Sequence, residues 1–185
     1  MSIPNIYNKF PILKFNDVVL REFILEDVNH FFAYINHSKV KNFLSDDDIP
    51  NTLGEAQKEL GYWKNLFYQK YSVYWAVAEA SSNKLIGTCG FNSWNVHHKR
   101  VEISYDLDFD YWNRGLMTRI LNEICNFAFI KLDVYRIQAT VLCENNASIR
   151  VLEKLDFKNE GLLKNYAVKD GRIKNSYMYA KTKDV

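Results

Sequence analysis

An α+β fold, with a mixed and mostly antiparallel sheet of about seven strands, follows from three observations. First, the residue period changes to two at Ser72, and three such runs follow one another to Phe109, as an antiparallel meander requires. Second, Tyr111-Trp112-Asn113-Arg114-Gly115-Leu116-Met117-Thr118 closes the strand-like run 101–109 and opens an apolar, helix-period run over 116–132. Third, a β-branched and aromatic strand (134–142), a short capped helix and two closing strands around Lys169-Asp170-Gly171-Arg172 complete the chain. The order β-α-α-β-β-β-α-β-α-β-β embeds helices in a mainly antiparallel sheet, with one parallel join around the central helix. Two neighbouring strands whose ends meet near that helix are placed to splay apart, leaving a slot for an extended ligand.

The elements follow in order. Residues 18–23 alternate as a strand, and 26–36 place Val28, Phe31, Phe32 and Ile35 at helical spacing. Ser45-Asp46-Asp47-Asp48-Ile49-Pro50 is a polar break. Thr52 can cap the next helix, over 54–68, whose face carries Leu60, Trp63 and Phe67. Val73, Trp75 and Val77 alternate with Tyr74, Ala76 and Ala78. Ser81-Ser82-Asn83 then turns the chain into strands over 84–94 and 100–109, with His97-His98-Lys99-Arg100 as a solvated turn between them. On the central helix Ile120, Leu121, Ile124, Phe127 and Ala128 share the buried face. Asn145 or Asn146 caps the short helix ending near Leu155.

The 185 residues are most simply one domain, with residues 1–16 as an N-terminal extension. Hydrophobic residues at 48% and charged residues at 25% describe a soluble globule, and 12 Tyr with 12 Phe point to an aromatic core or a ring-lined groove. A net charge of +2 and the lack of a basic stripe argue against direct nucleic-acid binding. The apolar runs are too short for a bilayer and the start does not resemble a secretory leader, so no membrane partner and a cytoplasmic location are expected. Cys89, Cys125 and Cys143 are widely spaced in apolar runs, which predicts reduced, buried thiols and no metal centre. Oligomeric state is left open between monomer and homodimer.

A strand feeding a helix through a turn with Arg114 and Gly115 suits an anion. The first-turn N–H groups have no internal partners, and the aligned peptide dipoles favour negative charge there. With one glycine the motif is weak by itself. Its downstream partner is Glu144-Asn145-Asn146-Ala147-Ser148-Ile149-Arg150-Val151-Leu152-Glu153-Lys154-Leu155-Asp156-Phe157, and Val101-Glu102-Ile103-Ser104-Tyr105-Asp106-Leu107 precedes both.

Together these three segments resemble the GNAT-fold N-acetyltransferases, and within them the RimJ/RimL type that acetylates ribosomal-protein N-termini. The likeness runs from Leu20-Arg21 to Tyr179. It implies acetyl-CoA as co-substrate, with its pyrophosphate on the loop of Asn113, Arg114, Gly115, Leu116, Met117 and Thr118. It further implies main-chain bonds from Tyr105, Asp106 and Leu107 to the pantetheine arm, which Asn145 would meet from the opposite strand end. The chain departs from the family pattern at Asn113 and Asp156, where glycine is frequent. It also departs at Arg119, where an acidic residue is frequent, and at Met117, where the wider superfamily has a small residue. Asn tolerates the left-handed conformation well, and Asp does so at a cost.

Acetyl transfer to an amine needs a neutral amine, a stabilised oxyanion and a proton for the departing thiolate. A free α-amine titrates near roughly 8 and a lysine amine near roughly 10.4, so the former asks less of a base. Glu102, on the strand before the slot, is the candidate base, directly or through water; a strand-edge ion pair is its structural alternative. The family's usual proton-donating tyrosine falls at Leu152, which leaves Ser148 as the candidate donor; helix capping is its alternative. A backbone N–H on the same strand would hold the oxyanion. Asp46-Asp47-Asp48 would steer a cationic acceptor or simply form a solvated loop. Phe31, Phe32, Trp63, Tyr74 and Trp75 are either acceptor-pocket lining or core. The acceptor expected is the α-amine of a protein or peptide N-terminus, ribosomal or other, attacking directly in a ternary complex. The alternatives are a small amine (polyamine, amino acid or antibiotic) and a catalytically weak acyl-CoA sensor.

Overall fold

The computed structural model describes residues 6–183. Its elements are β1 (Leu13–Lys14), β2 (Val18–Arg21), α1 (Asp27–Ile35), α2 (Ser38–Lys41), α3 (Leu53–Tyr68), β3 (Tyr74–Glu79), β4 (Leu85–Asn95), β5 (Arg100–Leu107), α4 (Leu116–Lys131), β6 (Arg136–Leu142), α5 (Asn146–Lys154), β7 (Lys158–Lys169) and β8 (Arg172–Thr182). Single 3-10 turns occupy Asp46–Asp48 and Phe109–Tyr111. Eight strands form one sheet in the order β1-β2-β3-β4-β5-β6-β8-β7. The strand beyond the expected seven is the two-residue β1, which pairs with β2 at the sheet edge. It has no periodicity to read, and the four-residue α2 is barely one helical turn.

Strand alternation in β3 sorts the core. Trp75 and Val77 face one side with Ile120, Leu121 and Ile124 of α4 and Leu152 of α5. Tyr74 and Ala76 face the other with Phe31 and Ile35 of α1 and Leu60 of α3. The sheet therefore carries helices on both faces, each held by side chains whose full burial contributes roughly 1.5–3 kcal/mol apiece. Thr52 accepts from the Glu55 N–H at 3.1 Å while Glu55 Oε2 accepts from the Asn51 N–H at 2.6 Å, which starts α3 where the sequence places it. The expected meander is β3-β4-β5, and the one parallel join is β5 to β6 through α4.

That parallel join is short. Its register comprises Arg100↔Arg136, Val101↔Ile137 and Glu102↔Gln138, and then stops. Beyond it β5 stays with β4 as far as Leu107, while β6 stays with β8 as far as Leu142. The two strands diverge from Glu102 onward, leaving an unpaired edge of β5 beside the start of α4.

Candidate active site

Gly115 caps α4 in the left-handed conformation, φ 68° and ψ 6°, with no side chain closing the helix start. The Leu116, Met117 and Thr118 N–H groups are thus left for a ligand. Asn113 is also left-handed, φ 60°, as is Asp156 at the end of α5, φ 64°, so both departures from glycine keep the backbone shape. The Met117 side chain is buried in the core and takes no room from the loop. Arg119 turns away to Asp17, 2.7 Å from both carboxylate oxygens. Arg114 donates to the Asp110 carbonyl at 2.6 Å and lies over the Tyr111 ring.

All ten residues expected to hold the donor line one cavity of about 290 Å³. Ser148 lines it too, together with Arg150 and Lys154 of α5. Sequence reasoning passed over that basic pair, although its four-residue spacing on one helix face was a usable signal. On β5, the Leu107 carbonyl accepts from the Trp112 indole N–H at 2.8 Å, so Leu107 offers less main chain to a ligand than expected.

Asn145 caps α5, its Oδ1 accepting from the Ser148 N–H at 3.0 Å. Ser148 is therefore not the cap. Its hydroxyl lies 2.6 Å from the Tyr105 hydroxyl, whose own pKa burial pushes far up, so that Tyr105 keeps its proton. Leu152 is fully buried, leaving its position no access to either substrate.

A second cavity, about 180 Å³, adjoins the first; Tyr105, Asp106, Asn145 and Ser148 line both. Of the five aromatics weighed for this role, Phe31, Trp63 and Tyr74 line it. Trp75 instead sits in the opposite core, its indole N–H on the Pro11 carbonyl at 2.6 Å. Asp48, Glu59 and Asp106 line the second cavity, and among the described residues no lysine or arginine does. Asp106 is held by Tyr34 Oη at 2.5 Å and by the Thr88 N–H and hydroxyl at 3.0 and 2.6 Å. Burial still raises its pKa to about 6 against those three donors. Burial also raises Glu59, to about 7, with Asp106 and Asp48 adding to the shift. Asp48 stands at the rim, its surface open to water although protein surrounds it closely, and shifts up for the same first reason.

Three further expectations resolve in particular residues. The Asp46–Asp48 run divides: Asp46 accepts from the Asp170 and Gly171 N–H groups and ties down the β7–β8 turn, while Asp48 faces the cavity. Glu102 sits on the last paired rung, accepting from Gln138 Nε2 at 3.1 Å and Thr140 Oγ1 at 3.3 Å, and lines neither cavity. Cys89 and Cys125 are buried free thiols, whereas Cys143 is only half-buried. Among the described residues no helix is long and apolar enough to cross a membrane.

A split sheet, a helix start open to an anion and a second cavity meeting the first at a hydroxyl pair define a two-substrate group-transfer enzyme. The chain belongs to the GNAT acetyltransferase family: residues 17–158 match its Acetyltransferase (GNAT) domain. It is 27% identical over 171 residues to the uncharacterized N-acetyltransferase YoaA of Bacillus subtilis, covering 92% of this chain and 96% of that one. Among solved structures, the ribosomal-protein-S5-alanine acetyltransferase of Vibrio fischeri superposes with a TM-score of 0.82 at 22% identity, covering 94% and 97% of the two chains. RimL, a ribosomal L7/L12 alpha-N-protein acetyltransferase solved with coenzyme A, does so at 0.83 and 20%, covering 93% and 98%.

Proposed function

We propose that this N-acetyltransferase uses acetyl-CoA to acetylate the α-amine of a protein or peptide N-terminus, by direct attack in a ternary complex. One observation carries the reading. Two cavities of different electrostatic character meet at Ser148 and share Asp106: one adds Arg114, Arg150, Lys154 and an open helix start, the other adds Asp48 and Glu59 and, among the described residues, no lysine or arginine. A pyrophosphate suits the first and an ammonium the second.

The residues fit acetyl-CoA. Leu116, Met117 and Thr118 would hold the pyrophosphate through main-chain N–H groups, with the Thr118 hydroxyl assisting and Asn113, Arg114 and Gly115 shaping the loop. The pantetheine arm would lie along the unpaired edge of β5 at Tyr105, Asp106 and Leu107, opposite Asn145. When bound, the co-substrate supplies an activated acetyl thioester. Ser148 gives a proton to the departing sulfur, and Tyr105 keeps the Ser148 hydroxyl turned toward the junction. Glu102, fixed by Gln138 and Thr140, would act on the amine only through water from its place below the slot.

The folds shared with the two ribosomal-protein acetyltransferases favour a protein N-terminus, and an α-amine makes the smaller demand on a base. The acidic acceptor cavity also favours a second reading, a small polycationic amine. Thiol release from acetyl-CoA, measured with peptides bearing Ala, Ser or Met N-termini beside spermidine and free amino acids, decides between them. Turnover on peptides is expected. Turnover confined to small amines would replace the first reading by the second. Acetyl-CoA binding without release on any acceptor would leave a sensor.

A further inference from the structure

For the amine-acetylating reaction of this family, we infer that Glu59 of α3 is the group that removes the proton from the acceptor's ammonium. The inference rests on the acceptor cavity proposed above and adds a catalytic residue to it. Glu59 lines that cavity with Trp63 one helical turn further along α3, and the Trp63 ring stacks on Tyr74 at 4.5 Å to form an apolar wall. An ammonium drawn into this space finds the carboxylates of Asp48, Glu59 and Asp106 beside that wall, and their charge favours it there. Asp106 cannot serve as the base, because Tyr34 and Thr88 already occupy its carboxylate. Asp48 stands at the rim, exposed to water. Glu102 does not line the cavity and is tied to Gln138 and Thr140. Glu59 alone of the four lies inside the rim with a carboxylate that no donor holds among the described residues, whereas Asp48 is exposed and has Ser45 as a donor.

Its surroundings tune it for the task. The titratable groups facing it across the cavity are Asp48, Asp106 and the hydroxyls of Tyr74, Tyr105 and Tyr166; along α3 its neighbours are Glu55, Lys58 and Tyr62. Burial among these groups, with Asp106 and then Asp48 adding like charge, brings Glu59 to about 7. That suits a base working near neutrality. Two protons leave the nitrogen as its bond to the acetyl carbon forms and the carbon–sulfur bond breaks. The first goes to the Glu59 carboxylate and then to solvent. The second ends on sulfur through the Ser148 hydroxyl, which replaces the proton it gives up with the one from nitrogen.

The test is the pH profile of kcat/KM for the best acceptor of the panel, with wild type, Glu59→Gln and Asp48→Asn. Wild type is expected to rise through an apparent pKa near 7. Glu59→Gln should bind acetyl-CoA normally yet lose about 100-fold or more in kcat/KM, the size of a lost general base, and keep only the acceptor's own amine limb. Asp48→Asn should move the limb to lower pH, because a neighbouring negative charge is gone. Glu59→Gln turning over within twofold of wild type with the limb intact would overturn the inference and leave the acetyltransferase reading standing. Absence of turnover by wild type on every acceptor would overturn both.

Discussion

Replacing Gly115 by alanine isolates what the start of α4 demands of the backbone. A Cβ built there meets nothing within 4 Å, so the substitution meets no crowding and acts through the dihedral angle alone. With φ at 68°, an L side chain costs roughly 1–2 kcal/mol. For a chain of this length each kcal/mol lowers Tm by about 2–4 °C, so melting should fall by about 2–8 °C. If the strain is relieved by rotating the first turn, its N–H groups turn from the anion and acetyl-CoA binding weakens by about tenfold for each 1.4 kcal/mol lost. Thermal melting by circular dichroism and titration calorimetry with acetyl-CoA read the two effects. Gly90→Ala is the contrast, because its Cβ would lie 2.4 Å from the Tyr74 ring and 2.6 Å from the Tyr74 Cα in mid-sheet, and it should not fold. A Gly115→Ala protein with unchanged Tm and unchanged affinity would refute a conformational role for the glycine. A collapse as deep as that of Gly90→Ala would show that space, not dihedral angle, is limiting.

Tyr105→Phe removes the 2.6 Å partner of the Ser148 hydroxyl, a bond worth about 1 kcal/mol in typical cases. Stopped-flow turnover should show kcat about five- to tenfold lower, with acetyl-CoA affinity unchanged. Arg150→Ala combined with Lys154→Ala removes two exposed cations from the donor cavity. Acetyl-CoA affinity should fall several-fold at low salt, and the difference should shrink as salt screens the remaining charges. Glu59→Gln also has a stability signature. Since burial holds Glu59 near 7, above its ordinary 4.5, its contribution is full below pH 4.5 and is lost as pH rises through about 7. Glutamine never ionises, so the variant should melt with wild type at pH 4.5 and above it at pH 8.5; the gap will be small because Glu59 is partly exposed.

The donor half was legible in the sequence because its signals are local. Gly115 and Asn113 announce left-handed backbone, the 3.6-residue period announces α4, and Asn145 stands where a cap belongs; each follows from a few adjacent residues. The acceptor half depends on contacts between distant elements. Nothing near Glu59 says that α3 turns it toward β5, since Leu60, Trp63 and Phe67 define the same apolar face whether or not a cavity lies beneath. Asp106 looked like a main-chain contact because its side-chain partners, Tyr34 and Thr88, lie 72 and 18 residues away. The three aspartates at 46–48 are identical in sequence, and only the return of the β7–β8 turn gives Asp46 a different task from Asp48. Ser148 was ambiguous between cap and catalyst until Asn145 took the cap and Tyr105 met the hydroxyl.

Initial rates of thiol release with acetyl-CoA and the acceptor varied together test most directly whether the two cavities are halves of one site. Joined at Ser148, they predict double-reciprocal lines that intersect, because both substrates must be present before the acetyl group moves. Parallel lines would mean that the acetyl group rests on the enzyme between separate visits, and would contradict the junction at its centre.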